Sequence, residues 1–289
     1  MQIPAYWARA LVDDSGRELD QDDGFGFYGI GWSDTSQADA RDMALKRARR
    51  IAERFNSNDD MFSLREQYYA DRPLREPVVD EMQIDGKRAA VITQNVYGAY
   101  VMNTASAMFI DIDVPPPPPV PGLIGRLFGM KPPTQEDKQP PEARIQNTIA
   151  SQQGLGMKVY RTPAGFRGLV TSRPMQPNSD EAQRLMRAFD SDPLYVTLCR
   201  SQQSFRARLT PKPWRIGMDN PPRSFPFFDS GKQAAFDQWK KVYDSRSTGY
   251  AACEPLSDEP WGNAVVHPEI APVLAMHDEL ACSPGKPLA

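Results

Sequence analysis

The sequence predicts an α+β protein with a β-α-β-β-α-β unit at its centre, an α+β region before it and a mostly helical, loop-rich region after it. Three observations predict this. Residues 107–209 alternate between period-two and helical spacing in that order. Residues 25–55 read as a glycine-rich strand running into an alanine-striped helix. From Pro211 onward prolines break the chain until helical spacing returns near Gln233.

The chain opens with an apolar and aromatic stretch, Ile3 to Val12, and an acidic turn, DDSGRELDQDDG. Phe25 to Trp32 alternates glycine with large residues and reads as a strand. Ser33, Thr35 or Ser36 then caps a helix reaching Phe55. Its apolar stripe is Ala40, Ala44, Ala48, Ile51 and Phe55, and its arginines face solvent. Pro77 to Asn95 reads as two strands around a turn at Asp85-Gly86-Lys87, and Tyr97 to Asn103 is a further apolar run.

The central unit begins with the strongest strand of the chain, Ala107 to Val114. A proline-rich insertion, 115–141, separates it from a helix over Glu142 to Gln153. Met157 to Thr162, the turn Pro163-Ala-Gly165 and Phe166 to Ser172 form a hairpin. Ser179 caps a helix to Phe189, and Phe205 to Leu209 supplies the last strand. This is the ferredoxin-like or RRM-like order, whose sheet runs 4-1-3-2. Three regions result: 1–106, 107–215 and 216–289. In the last, helices span about 233–243 and 270–280.

Composition excludes some functions. With 40% hydrophobic and 25% charged residues the chain is ordinary globular material, and no apolar run is long enough to span a membrane. A net charge of -3 leaves any polyanion site to local clustering. The three cysteines, Cys199, Cys253 and Cys282, are odd in number and widely spaced, which fits a reducing, cytoplasmic setting. Neither His267 nor His277 lies at zinc spacing from a cysteine or histidine, so a zinc site is not expected. There is no P-loop, and no Ser-His-Asp catalysis is supported by a nucleophile elbow.

The residues that point to chemistry are Asp111 and Asp113. Period-two alternation puts both on one face of their strand, about 7 Å apart. Hard oxygen ligands in that arrangement suit Mg²⁺ or Mn²⁺, and the same acids at a strand end also serve as solvated groups or partners of arginines. In a 4-1-3-2 sheet Arg167 is their neighbour, either as a counter-ion or as a phosphate ligand. Arg200, Arg206, Arg208, Lys212 and Arg215 follow with no acid among them, interleaved with Phe205 and Trp214. Arg206 and Arg208 share a strand face. That face suits phosphates and stacked bases, or an Arg-Asp lattice.

The apolar-Asp-Ile-Asp strand, the helix and the hairpin YRTPAGFRGL together resemble the core of archaeo-eukaryotic primases and prim-pol polymerases. The resemblance covers about a third of the chain. It implies metal-binding and catalytic roles for Asp111 and Asp113, and a catalytic, phosphate-contacting role for Arg167 where the family has histidine. Arg161, in the same hairpin, joins the phosphate-binding candidates. The family's third acidic motif has no strand-borne match between Val196 and Met218; Asp192 is the weak candidate. The expected function is divalent-metal-dependent binding of a nucleotide or nucleic acid, with nucleotidyl transfer as the implied reaction. A non-catalytic nucleic-acid, anion or protein-interaction role is the alternative, and the prolines at 115–121 are the candidate protein ligand.

Overall fold

The computed structural model describes residues 1, 3–19, 25–57, 73–114 and 139–289. The acidic turn beyond residue 19, residues 58–72 and most of the proline-rich insertion, with its candidate partner segment 115–121, lie outside the described residues. Packing divides the chain into two compact units, each made of two stretches: Met1–Asn103 with Thr210–Gly249, and Thr104–Leu209 with Tyr250–Ala289. The sequence regions map onto these with the central region in the second unit as far as Leu209. The C-terminal region is divided after Gly249.

In the first unit, β1 (Tyr6–Val12), β2 (Glu18–Leu19) and β3 (Phe27–Ser33) form an antiparallel sheet in the order β2-β1-β3. Helix α1 (Gln37–Ser57) lies directly on β3. The glycines of β3 make that approach possible. A Cβ on Gly29 would come within 2.0 Å of the Ala44 carbonyl oxygen, and one on Gly31 within 2.0 Å of that of Ala40. Ala40, Ala44, Ala48 and Ala52 are the buried row. The expected stripe ran through Ile51 and Phe55 instead. The strand follows the i,i+4 ridge, which is inclined to the helix axis and leaves Phe55 exposed against Phe25 and Phe27. Ser36 is the cap: its Oγ accepts from the Asp39 N–H at 3.1 Å. Hydrogen bonds from Thr35 and Ser36 hold the Asp39 carboxyl below its usual range.

β4 (Val78–Ile84) and β5 (Lys87–Gln94) form the expected hairpin, with β6 (Tyr100–Thr104) beside β5. Its turn places Asp85 and Gly86 at φ 50° and 73°, the left-handed pair that a two-residue hairpin of matching twist requires.

The second unit carries β7 (Phe109–Asp113), α2 (Pro141–Ser151), β8 (Gly156–Thr162) and β9 (Gly165–Val170). α3 (Asp180–Ala188), α4 (Pro193–Gln202) and β10 (Phe205–Arg208) follow. β9 runs antiparallel to both β7 and β8, so these two are parallel with β9 between them, a split β-α-β unit. β11 (Glu254–Pro255) and β12 (Trp261–Gly262) add to the free side of β8, and α6 (Ala271–Ala281) comes last in the chain. Helix α5 (Ser230–Ser247) belongs to the first unit.

The sheet path, β11-β8-β9-β7, keeps the 1-3-2 part of the expected order but not its fourth strand: β10 lies outside this sheet. The reason is local. α4, over a stretch where the sequence spacing predicts no element, brings the Tyr195 hydroxyl to 3.0 Å from both the Phe109 and the Arg206 carbonyls, where a backbone rung would stand. Ser191 Oγ donates to the next outward carbonyl of β7, Asp111 O, at 2.9 Å. The architecture is thus a mixed α+β one. No helix among the described residues is long and apolar enough to cross a membrane.

Candidate functional site

The register between β7 and β9 sets Asp111 opposite Arg167, and that between β9 and β8 sets Arg167 opposite Tyr160. Directly paired residues leave the same face of a sheet, so one face carries Phe109, Asp111, Arg167 and Tyr160 in adjacent positions. α6 covers part of this face. The His277 ring packs 5.1 Å from that of Phe109 and 4.7 Å from that of Tyr160.

Around His277 the structure gathers Cys253, which just precedes β11, and Cys282, which caps the C-terminus of α6. An isolated parallel bridge joins the backbones of Cys253 and Cys282. Their sulfurs lie 3.7 Å apart, and Cys253 Sγ is 3.9 Å from His277 Nε2. The ligand atoms of the three residues all fall within 4.8 Å of one another. Cys253 and His277 are fully buried, and Cys282 is partly so.

Hydrogen bonding fixes the histidine's roles. Arg167 Nη1, which can only donate, stands 3.1 Å from His277 Nε2. Nε2 therefore accepts from Arg167, a hydrogen bond that a metal ion at Nε2 would replace, and Nδ1–H donates to Asp278 Oδ1 at 3.1 Å. Tyr160 donates to the same carboxylate oxygen at 2.6 Å. Burial, then the Asp278 charge, pushes the Tyr160 phenol far above its usual range. A carboxylate behind the distal nitrogen is the outer-shell arrangement that orients a metal-ligating imidazole.

A hydrogen bond between the two sulfurs pulls their acidities apart. The hydrogen bond from Cys282 and the Arg167 charge drive Cys253 down against the opposing effect of burial. Cys282 is driven up, chiefly because its hydrogen bond to Cys253 retains its proton. Cys253 is thus the more acidic of the two sulfurs. The buried Arg167 guanidinium, 3.9 Å from its sulfur, is a cation beside it, anchored also by a 2.7 Å hydrogen bond to Arg208 O.

Soft sulfur with imidazole is the donor set for zinc-class divalent ions. For a tetrahedral ion at ordinary bond lengths the sulfurs should stand about 3.8 Å apart and sulfur and nitrogen about 3.5 Å. The separations of 3.7 and 3.9 Å fall within half an ångström of these, and Cys282 stands within 4.8 Å of His277. The chain has the capacity to coordinate a metal ion at Cys253, His277 and Cys282.

No protein-family model, curated protein or solved structure matches the chain.

The site residues expected from sequence are placed as follows. Asp111 and Asp113 are both exposed, with Ile110 and Ile112 buried between and behind them. Among the described residues no further Asp, Glu, His or Cys joins them at metal-ligating distance. Arg167 does stand opposite Asp111 in register, but its guanidinium turns into the Cys253–His277 cluster. Arg161 pairs with Glu142 at 2.9 Å. Arg200 is exposed on the last turn of α4, and Arg206 Nη1 donates to Gln202. Arg206 and Arg208 do share a strand face opposite the buried Phe205 and Ala207. Lys212, over the Trp214 ring, and Arg215 belong to the other unit. Asp192 caps α4, its carboxylate accepting from the Leu194 N–H at 2.8 Å.

The cluster is a potential metal-ligand set that the sequence spacing did not lead one to expect. His277 and Cys282 sit one helical turn and a cap apart, and Cys253 reaches them by a bridge that has no sequence spacing to betray it. Two of three cysteines flanking both histidines within thirty residues was the available signal.

Proposed function

We propose that the protein binds one zinc-class divalent ion through Cys253, His277 and Cys282, and that the ion clasps the segment after Gly249 onto the sheet of the second unit. The observation that carries this is the convergence of two sulfurs and an imidazole nitrogen within 4.8 Å at a buried point. Charge supports it. A divalent ion, two thiolates, Arg167 and Asp278 sum to zero, which a buried centre needs. Sulfur donors argue against Mg²⁺ or Mn²⁺ at this centre, since those ions prefer hard oxygen. The burial of Cys253 and His277 favours a structural ion over a catalytic one.

The test is titration of the metal-free protein with Co²⁺. One equivalent should produce a sulfur-to-cobalt charge-transfer band, and Zn²⁺ should displace it. Cys253→Ser should abolish the band, and an unchanged spectrum in wild type at full Co²⁺ excess would refute the reading.

A second reading keeps the primase-like resemblance and places Mg²⁺ or Mn²⁺ with a nucleotide at the acidic strand. One observation favours it: both acids are exposed, and a cleft of about 350 Å³ beside Asp113 includes Arg144 and Asp190 in its lining. An oxygen-ligated ion there would bridge to phosphate. Nucleoside triphosphate binding should then require Mn²⁺ and disappear in Asp111→Asn with the fold intact. Binding that ignores Mn²⁺, or none at all, removes this reading.

A further inference from the structure

We propose that Cys253 and Cys282 are a reversible disulfide-forming pair, oxidised by peroxide and reopened by thiol. This goes beyond metal binding and does not require it, because it uses the same sulfurs in a different chemical state.

Three features carry the inference. The sulfurs are already in contact at 3.7 Å, and both are free thiol sulfurs rather than a bonded pair. Their backbones are held as bridge partners, with Ala252 and Cys253 N–H groups both donating to Ala281 O at 2.9 and 3.3 Å. Neighbouring strands lie about 4.8 Å apart, inside the Cα span that a disulfide accepts. Finally, access is unequal. Cys253 is fully buried whereas Cys282 is partly exposed, which gives a small oxidant one sulfur to meet first.

The steps balance. Cys282 Sγ passes its proton to Cys253 Sγ, its hydrogen-bond partner, and attacks one peroxide oxygen, and the O–O bond breaks. One oxygen stays on sulfur as sulfenic acid, and the other leaves as water with the thiol proton. Cys253 Sγ then attacks Cys282 Sγ, the S–O bond breaks, and the departing hydroxide takes a proton to become a second water. Two thiols lose two electrons and two protons, and one peroxide becomes two waters. Arg167, 3.9 Å from Cys253 Sγ, is a positioning cation for the attacking sulfur.

The experiment oxidises the full, reduced, metal-free chain with stoichiometric hydrogen peroxide, blocks remaining thiols by alkylation and maps peptides without reduction. The expected product is a single Cys253–Cys282 link, with Cys199 recovered alkylated and the link lost on adding dithiothreitol. In Cys253→Ser the sulfenic acid at Cys282 should persist and be trapped by dimedone, whereas in wild type trapping should be negligible. Links involving Cys199, or Cys282 advancing to sulfinic acid in wild type without a link, would overturn the proposal. Repeating the oxidation with Zn²⁺ separates the two readings. An unlinked product in metal-free protein that still gives the cobalt band defeats the disulfide alone. A link that forms equally fast with and without Zn²⁺ defeats the metal clasp alone.

Discussion

At the scale of single residues, several ionisable side chains are held neutral by burial. Burial pushes the Cys199 thiol from its ordinary 9.0 up to about 11. Tyr195 and Tyr160 are raised for the same leading reason. A group whose pKa is higher folded than unfolded contributes stability that is intact below the unfolded value and lost as pH climbs through the folded one. The second unit should therefore hold to about pH 9 and weaken from there towards pH 11. Ultraviolet titration should show Tyr160 and Tyr195 ionising only as the fold is lost, and Cys199 should resist alkylation until the same point. Early, independent ionisation of all ten tyrosines would contradict this. What was legible at this scale was local. The alternation that put Asp111 and Asp113 on one face, and the capping role of Ser179, whose side chain accepts from Ala182 N, could be read directly. The Cys253–His277–Cys282 cluster could not, because its members meet only after α6 has packed on the sheet.

Among elements, close packing and strand order are decided by what side chains leave room for. The contact between α1 and β3 depends on two missing Cβ atoms. Gly31→Ala would drive a methyl into the Ala40 carbonyl, and neither backbone can yield without parting helix from strand. It should cost about 3 kcal/mol or abolish folding of the first unit. Gly86→Ala is the contrast: nothing lies within 4 Å of the new methyl, and only the positive φ of 73° is strained, so about 1 kcal/mol is expected. Denaturant midpoints of the two variants measure the difference; equal losses would mean that the close approach is not what holds α1. The glycine-alanine pattern made the strand-helix pair legible, yet not how close the two elements come. α4 went unseen although Asp192 at its cap and Pro193 in its first turn were a readable start signal. Val196 and Thr197 speak against a helix by propensity, and packing of Val196 and Cys199 overrides them.

For the whole molecule, the composition of successive regions tells where elements start and stop, whereas the two units are interleaved along the chain. The second unit is complete only when residues 250–289 return to a sheet begun at Phe109. No local pattern encodes that return. The hydroxyls of Ser191 and Tyr195 have a consequence at this scale too. They satisfy successive outward carbonyls of β7, the terminal strand of its sheet. An unsatisfied strand border is a template on which a second molecule can add its own backbone. These two side chains are thus guards against self-association. A Ser191→Ala, Tyr195→Phe double variant should gain concentration-dependent oligomers in light scattering while the parent stays unchanged.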